Sequence, residues 1–427
     1  MSESSRGARS KSRLTVVGGG FAGLTAAITA AEGGAEVTLH EAHRTLGGRA
    51  RTAEAEGRYR TNDGPHALYN GGAHWAWLRA RNLIGRLAPL SPVEALRLRL
   101  HHRGRLHRLP PLGMLRLLGR SPAKAPVDAD FLGWATGEVG PTGARAAAHY
   151  AAVALFHHDP GALSAAFVQE RLRRATKLPP EAHYPRGGWS SVIERMAAHA
   201  RDLGVRTETG ARLDRLPEDG PVVVATSLAA ARSLLDDESL SWPSGRTVLL
   251  DLAVRARRGD AFALSDLDAP GWIERFSALD PTLAPAGEQL IQGQIPIGPG
   301  QGKEAGTARA EHLLDLGMPG WRDRLTWRRT SLAEGRTGAV DHPGTTWRDR
   351  PAIDRGDGVY LAGDQVAAPG VLSEVSFHSA VEAATLALRS AGRGSATGNG
   401  PGSGTGGGTR DGKDPATGPR DRRGVRR

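Results

Sequence analysis

The first residues in the chain able to do chemistry are Gly18-Gly19-Gly20-Phe21-Ala22-Gly23, which have the spacing GxGxxG. An apolar segment typical of a buried strand, Leu14–Val17, precedes them, and an alanine-rich helical segment, Ala22–Glu32, follows. Such a loop brings backbone N–H groups to a pyrophosphate at the helix N-terminus, where the helix dipole favours anions. The pattern predicts a dinucleotide-binding βαβ unit. The residues expected to bind the dinucleotide here are Gly18, Gly20, Phe21, Ala22 and Gly23.

An acidic residue follows at the position that this motif requires. The alternating segment Ala35–His40 is typical of a second strand, and Glu41 comes directly after it. A carboxylate at this strand end accepts hydrogen bonds from a ribose diol. It would also repel a 2′-phosphate, so NADP is disfavoured as the ligand of this site.

The passage after Glu41 carries a family resemblance. Together with Gly47-Gly48-Arg49 and Thr52 it resembles the signature of the FAD-containing superfamily of amine oxidases, protoporphyrinogen oxidases and phytoene desaturases. The paired glycines let the backbone pass close to a ligand. Arg49 supplies a planar fork of donors suited to phosphate or flavin.

The segment from Asn62 to Tyr69 is similar to the family passage that lies beside the isoalloxazine ring. The resemblance implies that Gly64, Pro65 and His66 contact the flavin. His66 and Tyr69 are weak candidates for a catalytic proton relay. Simple packing against the cofactor explains them equally well, and the catalytic residues are otherwise unknown.

Two later passages extend the resemblance to the C-terminal half. Tyr184–Trp189 is similar to the family's P-x-GG passage, which implies that Leu213 contacts adenine through its backbone. Gly358–Asp364 resembles the C-terminal GD motif, which implies that Gly363 approaches the cofactor and Asp364 binds the ribityl chain. The segment that follows resembles the family's closing helix, whose N-terminus would face the flavin. In it, Val375 stands where many amine oxidases have Gly.

The resemblance implies an α/β fold. A Rossmann-type FAD-binding domain is expected from residues 14–80, 183–245 and 346–390. An interleaved α+β substrate domain is expected from residues 81–182 and 246–345. Residues 1–13 and the Gly/Arg-rich residues 391–427 are predicted to be a disordered leader and tail, because they carry too few apolar side chains for a core.

The implied function is that of an FAD-dependent oxidoreductase with non-covalently bound FAD. Lysines are scarce and Trp347 has no obvious aromatic partner, which disfavours amine oxidation. The prediction is therefore dehydrogenation or isomerisation of a small hydrophobic substrate, as in phytoene desaturases. The alternatives are an amine oxidase that releases hydrogen peroxide, a non-catalytic flavin-binding protein, and an NAD-binding module without flavin.

The composition argues against several other classes of protein. The absence of Cys excludes thiolate chemistry, disulfides and flavin attachment through Cys. The net charge of +11 is carried mainly by the two ends, so no nucleic-acid partner is expected. The pairs His101-His102 and His157-His158 do not predict a metal site. No segment is long and apolar enough to span a bilayer.

These features predict a cytoplasmic bacterial protein. The basic, leucine-rich stretch Leu96–Arg120 leaves peripheral membrane contact as a further alternative. The sequence does not indicate an oligomeric state.

Overall fold

The computed structural model describes residues 12–63, 67–89, 91–119 and 124–397, with side chains described to residue 391. Strands and helices are numbered in chain order. The strands are β1 Arg13–Val17, β2 Glu36–Glu41, β3 Thr52–Ala55, β4 Tyr59–Asn62, β5 Leu68–Tyr69, β6 Leu87–Ala88, β7 Leu98–His102, β8 Arg105–His107, β9 Ala182–Pro185, β10 Arg206–Thr209, β11 Val222–Val224, β12 Ser244–Arg255, β13 Ala263–Asp266, β14 Gly271–Glu274, β15 Glu288–Pro296, β16 Leu325–Ala339 and β17 Val359–Leu361. The helices are α1 Phe21–Glu32, α2 Ala73–Ala80, α3 Pro92–Ala95, α4 Leu112–Gly119, α5 Phe131–Val139, α6 Pro141–Leu155, α7 Ala165–Ala175, α8 Ser190–Asp202, α9 Leu228–Leu235, α10 Lys303–Gly317 and α11 Ser373–Thr397.

A five-stranded parallel sheet is formed from three separate stretches of chain. Its strand order is β10-β2-β1-β11-β17, and each neighbouring pair is parallel. Helix α1 packs on α8 and α11 through small side chains, since Ala26, Ala27, Ala380 and Ala384 are fully buried. All five strands end at the same edge of the sheet, so the loops that follow them lie together.

A second, seven-stranded sheet has the order β16-β12-β15-β14-β13-β7-β8. Its pairs are antiparallel except β13 with β7, which are parallel. Residues 98–107 and 244–339 therefore contribute to one sheet. Helix α10 packs against it over a core that contains Leu252, Ile291 and Leu314.

Helices α4 to α7 form a layer with its own core, in which Phe131, Ala147 and Val168 are buried. Two small sheets, β3-β4 and β5-β9-β6, complete the fold. Within the ranges that the structure describes, no helix combines the length and the apolar character needed to cross a bilayer.

The predicted fold class, α/β with a Rossmann-type domain, is confirmed. The domain boundaries stay a prediction. The structure begins β1 at Arg13, inside the predicted leader, and continues α11 to Thr397, past the predicted start of the tail at 391. Residues 1–11 and 398–427 of these predicted ends lie outside the described ranges.

Close backbone packing just after β1 requires glycine at two positions, Gly18 and Gly23. Gly18 has φ +106°, and a Cβ there would lie 2.6 Å from the carbonyl oxygen of Ala225. A Cβ on Gly23 would overlap the carbonyl oxygen of Gly18 far inside van der Waals contact. Helix α1 can therefore approach β1 only when position 23 has no side chain.

The change Gly23→Ala should sharply destabilise the protein, because backbone and not a flexible side chain opposes the new methyl group. Overpacking typically costs about 1–3 kcal/mol, and this site belongs at or above the upper end. Gly137→Ala in α5 is the matched control, since a Cβ there meets nothing within 4 Å. The control should gain up to about 1 kcal/mol. Urea unfolding of both variants checks this, and equal stabilities would contradict it.

Candidate functional site

The glycine loop leaves room beside its middle glycine. Gly20 precedes α1 with φ −75° and ψ −175°, an extended conformation open to any residue. A Cβ on Gly20 would have as its nearest neighbour only the carbonyl oxygen of Gly47, at 3.9 Å. Among the described residues, no side chain caps α1. Packing within the fold therefore explains why Gly18 and Gly23 are glycines, but it does not explain why Gly20 is one. A ligand bound at the N-terminus of α1, beside Phe21 and Ala22, would explain the glycine at position 20.

The second glycine pair closes over the first. The N–H of Gly47 donates to the carbonyl oxygen of Gly19 at 2.8 Å, and Gly20 and Gly47 form an isolated parallel bridge. Gly48 has φ +54°, and its Cβ would meet only the Cα of Gly20, at 3.5 Å. The two loops form one backbone surface above the ends of β1 and β2.

Glu41 lies where the sequence predicts, but its carboxylate also holds the loop. One oxygen accepts the N–H of Gly19 at 2.7 Å and the other accepts the N–H of His43 at 2.8 Å. A carboxylate has about four acceptor positions, so both oxygens can still receive a ribose diol. Glu41 therefore fixes the glycine loop as well as offering itself to a ligand.

The loop after β10 lies beside Glu41. Gly210 donates to the carbonyl oxygen of His43 at 2.8 Å, and Ala211 donates to that of Glu41 at 2.9 Å. Leu213 follows in the same loop, half-buried against the core of the parallel sheet. The structure thus brings Leu213 and Glu41 to neighbouring loops, as an adenosine-binding role requires.

Arg49 and Asp364 meet directly, although they lie in motifs at opposite ends of the chain. The guanidinium donates to both carboxylate oxygens of Asp364, at 2.6 and 2.7 Å, and also to the carbonyl oxygen of Arg336 at 2.8 Å. Burial alone would raise the pKa of Asp364, but the charge and hydrogen bonds of Arg49 outweigh it and hold that pKa below its usual value. The pair keeps both charged groups ordered at the edge where the strands end.

Helix α11 positions the C-terminal motif. The hydroxyl of Ser379 accepts the N–H of Gly363 at 2.9 Å and lies within hydrogen-bond distance of the carbonyl oxygen of Val375. Val375 is buried in the first turn of α11. This turn and Gly363 are therefore held together.

The structure assigns no catalytic role to the candidates His66 and Tyr69. Gly64, Pro65 and His66 lie outside the described residues. Tyr69 is buried in β5, and burial raises its pKa to about 12. Its hydroxyl is therefore protonated at neutral pH and can donate a hydrogen bond.

A charged cluster lies at the start of α11, and the sequence analysis did not predict it. Arg174 of α7 donates to Glu374 at 2.8 Å and also pairs with Glu181, which in turn pairs with Lys177. Glu374 also accepts the N–H of Val371 at 3.0 Å. Burial raises the pKa of Glu374, but these contacts outweigh it and lower that pKa. No local pattern indicates that α7 reaches α11.

A row of polar side chains crosses the seven-stranded sheet and was also missed. The strand register aligns four residues on neighbouring strands: Glu274, Gln292, Asp251 and Arg329. Gln292 donates to Asp251 at 2.6 Å, and Arg329 donates to Asp251 at 2.8 Å. The row faces the end of β4, since Gln292 donates to the carbonyl oxygen of Asn62 at 3.4 Å. The one sign of this row in the sequence is Asp251, a charged residue inside the apolar segment 248–254.

Glu274 ends this row in an aromatic environment. One of its oxygens accepts the indole N–H of Trp272 at 3.0 Å and the hydroxyl of Tyr184 at 3.3 Å. Among the described residues, neither the other oxygen, Oε1, nor Oε1 of Gln292 has a hydrogen-bond donor. Burial raises the pKa of Glu274 to about 7. The site therefore offers two neighbouring buried acceptors, one of which can change charge near neutral pH.

A possible metal cluster lies away from this edge. Nδ1 of His101 is 2.9 Å from a carboxylate oxygen of Asp266 and 3.9 Å from one of Asp268. Asp266 also accepts the N–H of Asp268, and Asp268 accepts the N–H of Arg103. Turn capping accounts for this cluster, and the expectation of no metal stays a prediction.

Comparison with known proteins supports the fold. Residues 16–80 match a family model described as an NAD(P)-binding Rossmann-like domain. A search of the curated proteins finds no match to this sequence.

Solved structures align over nearly their whole length. An oxidoreductase from Methanosarcina mazei gives a TM-score of 0.71 at 17% identity, covering 87% of this chain and 99% of that one. Cyclohexylamine oxidase from Brevibacterium oxydans gives 0.67 at 16% identity, with 89% and 99% covered. A UDP-galactopyranose mutase gives 0.63 at 14% identity, with 90% and 98% covered.

The chain therefore shares the fold of these oxidoreductases and of the mutase, with a Rossmann-like domain near its start. The resemblance predicted from the motifs is confirmed at the level of the fold.

The change Glu274→Gln should raise stability above neutral pH. The folded protein holds the Glu274 proton up to about pH 7, whereas the unfolded chain releases it near pH 4.5. Folding therefore binds a proton between these values, and the free energy of unfolding falls as pH rises through this window. At about 1.4 kcal/mol per pKa unit, the cost reaches about 3 kcal/mol at pH 8. The variant avoids that cost.

Urea unfolding of the wild type and variant at pH 4.5 and pH 8 checks this prediction. Their difference should be small at pH 4.5 and large at pH 8. Glu218→Gln, at an exposed position, is the control and should show no such pH-dependent difference. A variant whose advantage is the same at both pH values would show that Glu274 does not titrate in this window.

Proposed function

We propose that the chain is an FAD-dependent oxidoreductase. The open space at Gly20 carries this proposal, because it lies at the N-terminus of the helix that opens a βαβ unit, where the pyrophosphate of a dinucleotide binds. The residues present fit FAD at both ends: a glycine loop with Glu41 for the adenosine half, and Arg49 with Asp364 for the other. When bound, the flavin supplies the acceptor for a hydride or electron pair.

The chain's own groups have separable roles in this proposal. Gly18–Gly23 present backbone N–H groups to the pyrophosphate, and Glu41 orients the ribose. Leu213 offers its backbone to adenine. Asp364, ordered by Arg49, accepts hydrogen bonds from the ribityl hydroxyls. The first turn of α11 would lie beside the flavin, where the positive end of the helix dipole would favour negative charge on the reduced cofactor.

The substrate proposed from the sequence is a small hydrophobic molecule that is dehydrogenated or isomerised. A second candidate, oxidation of an amine, is favoured by one observation. The face of the seven-stranded sheet beside Asn62 carries acceptor oxygens of Glu274 and Gln292 that receive no donor from the described residues. Buried acceptors are costly unless a donor meets them, and an amine supplies such a donor whereas a hydrocarbon does not.

The change Gly20→Val should remove FAD and leave the fold intact. The added side chain occupies the space that the proposal assigns to the pyrophosphate, and the extended backbone accepts it. Gly302→Val is the matched control, since Gly302 also precedes a helix in extended conformation. Visible absorption after acid precipitation and FAD titration measure binding. We expect at least a tenfold loss of affinity for Gly20→Val and no loss for Gly302→Val.

Two results would overturn the FAD proposal. One is a wild-type protein that stays colourless and takes up no added FAD, as a flavin-free NAD-binding module would. The other is a folded Gly20→Val variant with unchanged FAD affinity. Urea unfolding of the flavin-free proteins verifies that both variants fold.

Anaerobic mixing with candidate donors separates the two substrate classes. An amine substrate should bleach the flavin absorption, release hydrogen peroxide in air, and lose at least tenfold in kcat/KM in Glu274→Gln. A hydrophobic alkene substrate should bleach the flavin equally in the wild type and in this variant. A flavin that no member of either panel reduces would instead support the non-catalytic alternative.

A further inference from the structure

A cavity of about 120 Å³ lies between α7 and the segment 341–350. A cavity needs only about 10–15 Å³ to hold one water, so this one admits a small organic group. Its floor contains Arg171 and Arg350, both 4% exposed. Its rim is formed by the half-buried residues Thr345, Thr346 and Trp347.

Arg350 is ordered but incompletely paired. It donates to both carboxylate oxygens of the buried Asp341, at 3.0 and 2.8 Å, through Nε and Nη2. In the part of the chain that the structure describes, its remaining nitrogen, Nη1, is buried and has no hydrogen-bond acceptor. A buried donor without an acceptor is costly, so this nitrogen calls for a ligand or water.

Arg171 is the second buried cation, and its protein partners are weak. It donates to the carbonyl oxygens of Phe167 and Gly370 at 3.1 and 3.3 Å, and to the exposed Glu170 at 3.2 Å. Its guanidinium lies 3.5 Å from the centre of the Phe167 ring. Burial lowers its pKa to about 10, so it is still a cation at neutral pH.

The walls around these cations are fixed by backbone hydrogen bonds. Ser164 donates to the carbonyl oxygen of Asp341 at 3.0 Å, and Gly344 donates to that of Val127 at 3.0 Å. The ion pair of Arg350 with Asp341 also closes the segment on itself. The cavity is therefore a built feature of the packing between α7 and this segment.

We propose that this cavity binds the carboxylate group of a small organic acid. Two planar guanidinium groups match a carboxylate, and Phe167, Ala166 and Trp347 provide apolar surface for the attached carbon chain. Asp341 and Glu170 balance the two arginines, so the site suits a monoanion better than a phosphate dianion. This inference does not depend on flavin binding, because none of these residues belongs to the cofactor motifs.

Isothermal titration of the purified full-length protein with sodium butyrate, butyramide and inorganic phosphate at constant ionic strength tests the proposal. Butyrate should bind at least tenfold more tightly than butyramide, which has the same shape without the charge, and more tightly than phosphate. The change Arg171→Met should weaken butyrate binding at least tenfold. Arg173→Met is the matched control, because Arg173 is exposed on the same helix. This control variant should bind butyrate as tightly as the wild type.

The change Ala166→Leu supplies a second test that keeps both charges. It fills the cavity from α7 and should also abolish butyrate binding. It keeps the proposal testable if Arg171→Met does not fold. Equal binding of butyrate and butyramide, tighter binding of phosphate, or normal butyrate binding by folded Arg171→Met or Ala166→Leu would each overturn the proposal.

Discussion

The parallel register of the five-stranded sheet is the constraint on which the candidate site depends. Strand β1 pairs in parallel with β2 on one side and with β11 on the other, and β11 pairs in parallel with β17. Parallel strands end at one edge, so the loops that follow three distant stretches of chain must meet there. The contact of Arg49 with Asp364 results from this geometry. The absence of a side chain at Gly23 is what lets α1 cover the sheet closely enough to direct its N-terminus at the same edge.

Charged pairs locate the elements around this edge. A buried ion pair contributes little net stability, because desolvation offsets the attraction, but a broken pair leaves a costly unpaired charge. Such pairs therefore disfavour alternative packings more than they stabilise the fold. The pair of Arg174 with Glu374 holds α7 on the first turn of α11, and the pair of Arg350 with Asp341 closes the segment that leads to β17. These two ion pairs thus fix the helical layer against the edge where the parallel strands end.

Local spacing predicted one part of the site, and the strand register determines the rest. The glycine loop, Glu41, Arg49 and Asp364 lie in short motifs whose residues are neighbours in sequence, and the structure brings these motifs together. The row from Glu274 to Arg329 depends on the pairing of four strands spread over residues 244–339, which no local pattern specifies. The Arg171–Arg350 cavity likewise joins a helix to a segment far along the chain. Asp251, an acidic residue within an apolar strand, was the clearest sign in the sequence that this sheet carries a row of polar side chains.

The fold leaves the reaction undetermined. Solved structures with this fold include an amine oxidase and a mutase, so the same edge accompanies different chemistries. In the proposed function, the groups that would distinguish an amine from a hydrocarbon lie on another element. Glu274 and Gln292 are on the seven-stranded sheet, whereas the glycine loop, Arg49 and Asp364 lie on loops that follow strands of the parallel sheet. Under the proposed function, substrate choice would therefore depend on the acceptors of the seven-stranded sheet, and not on the glycine loop or the Arg49–Asp364 pair.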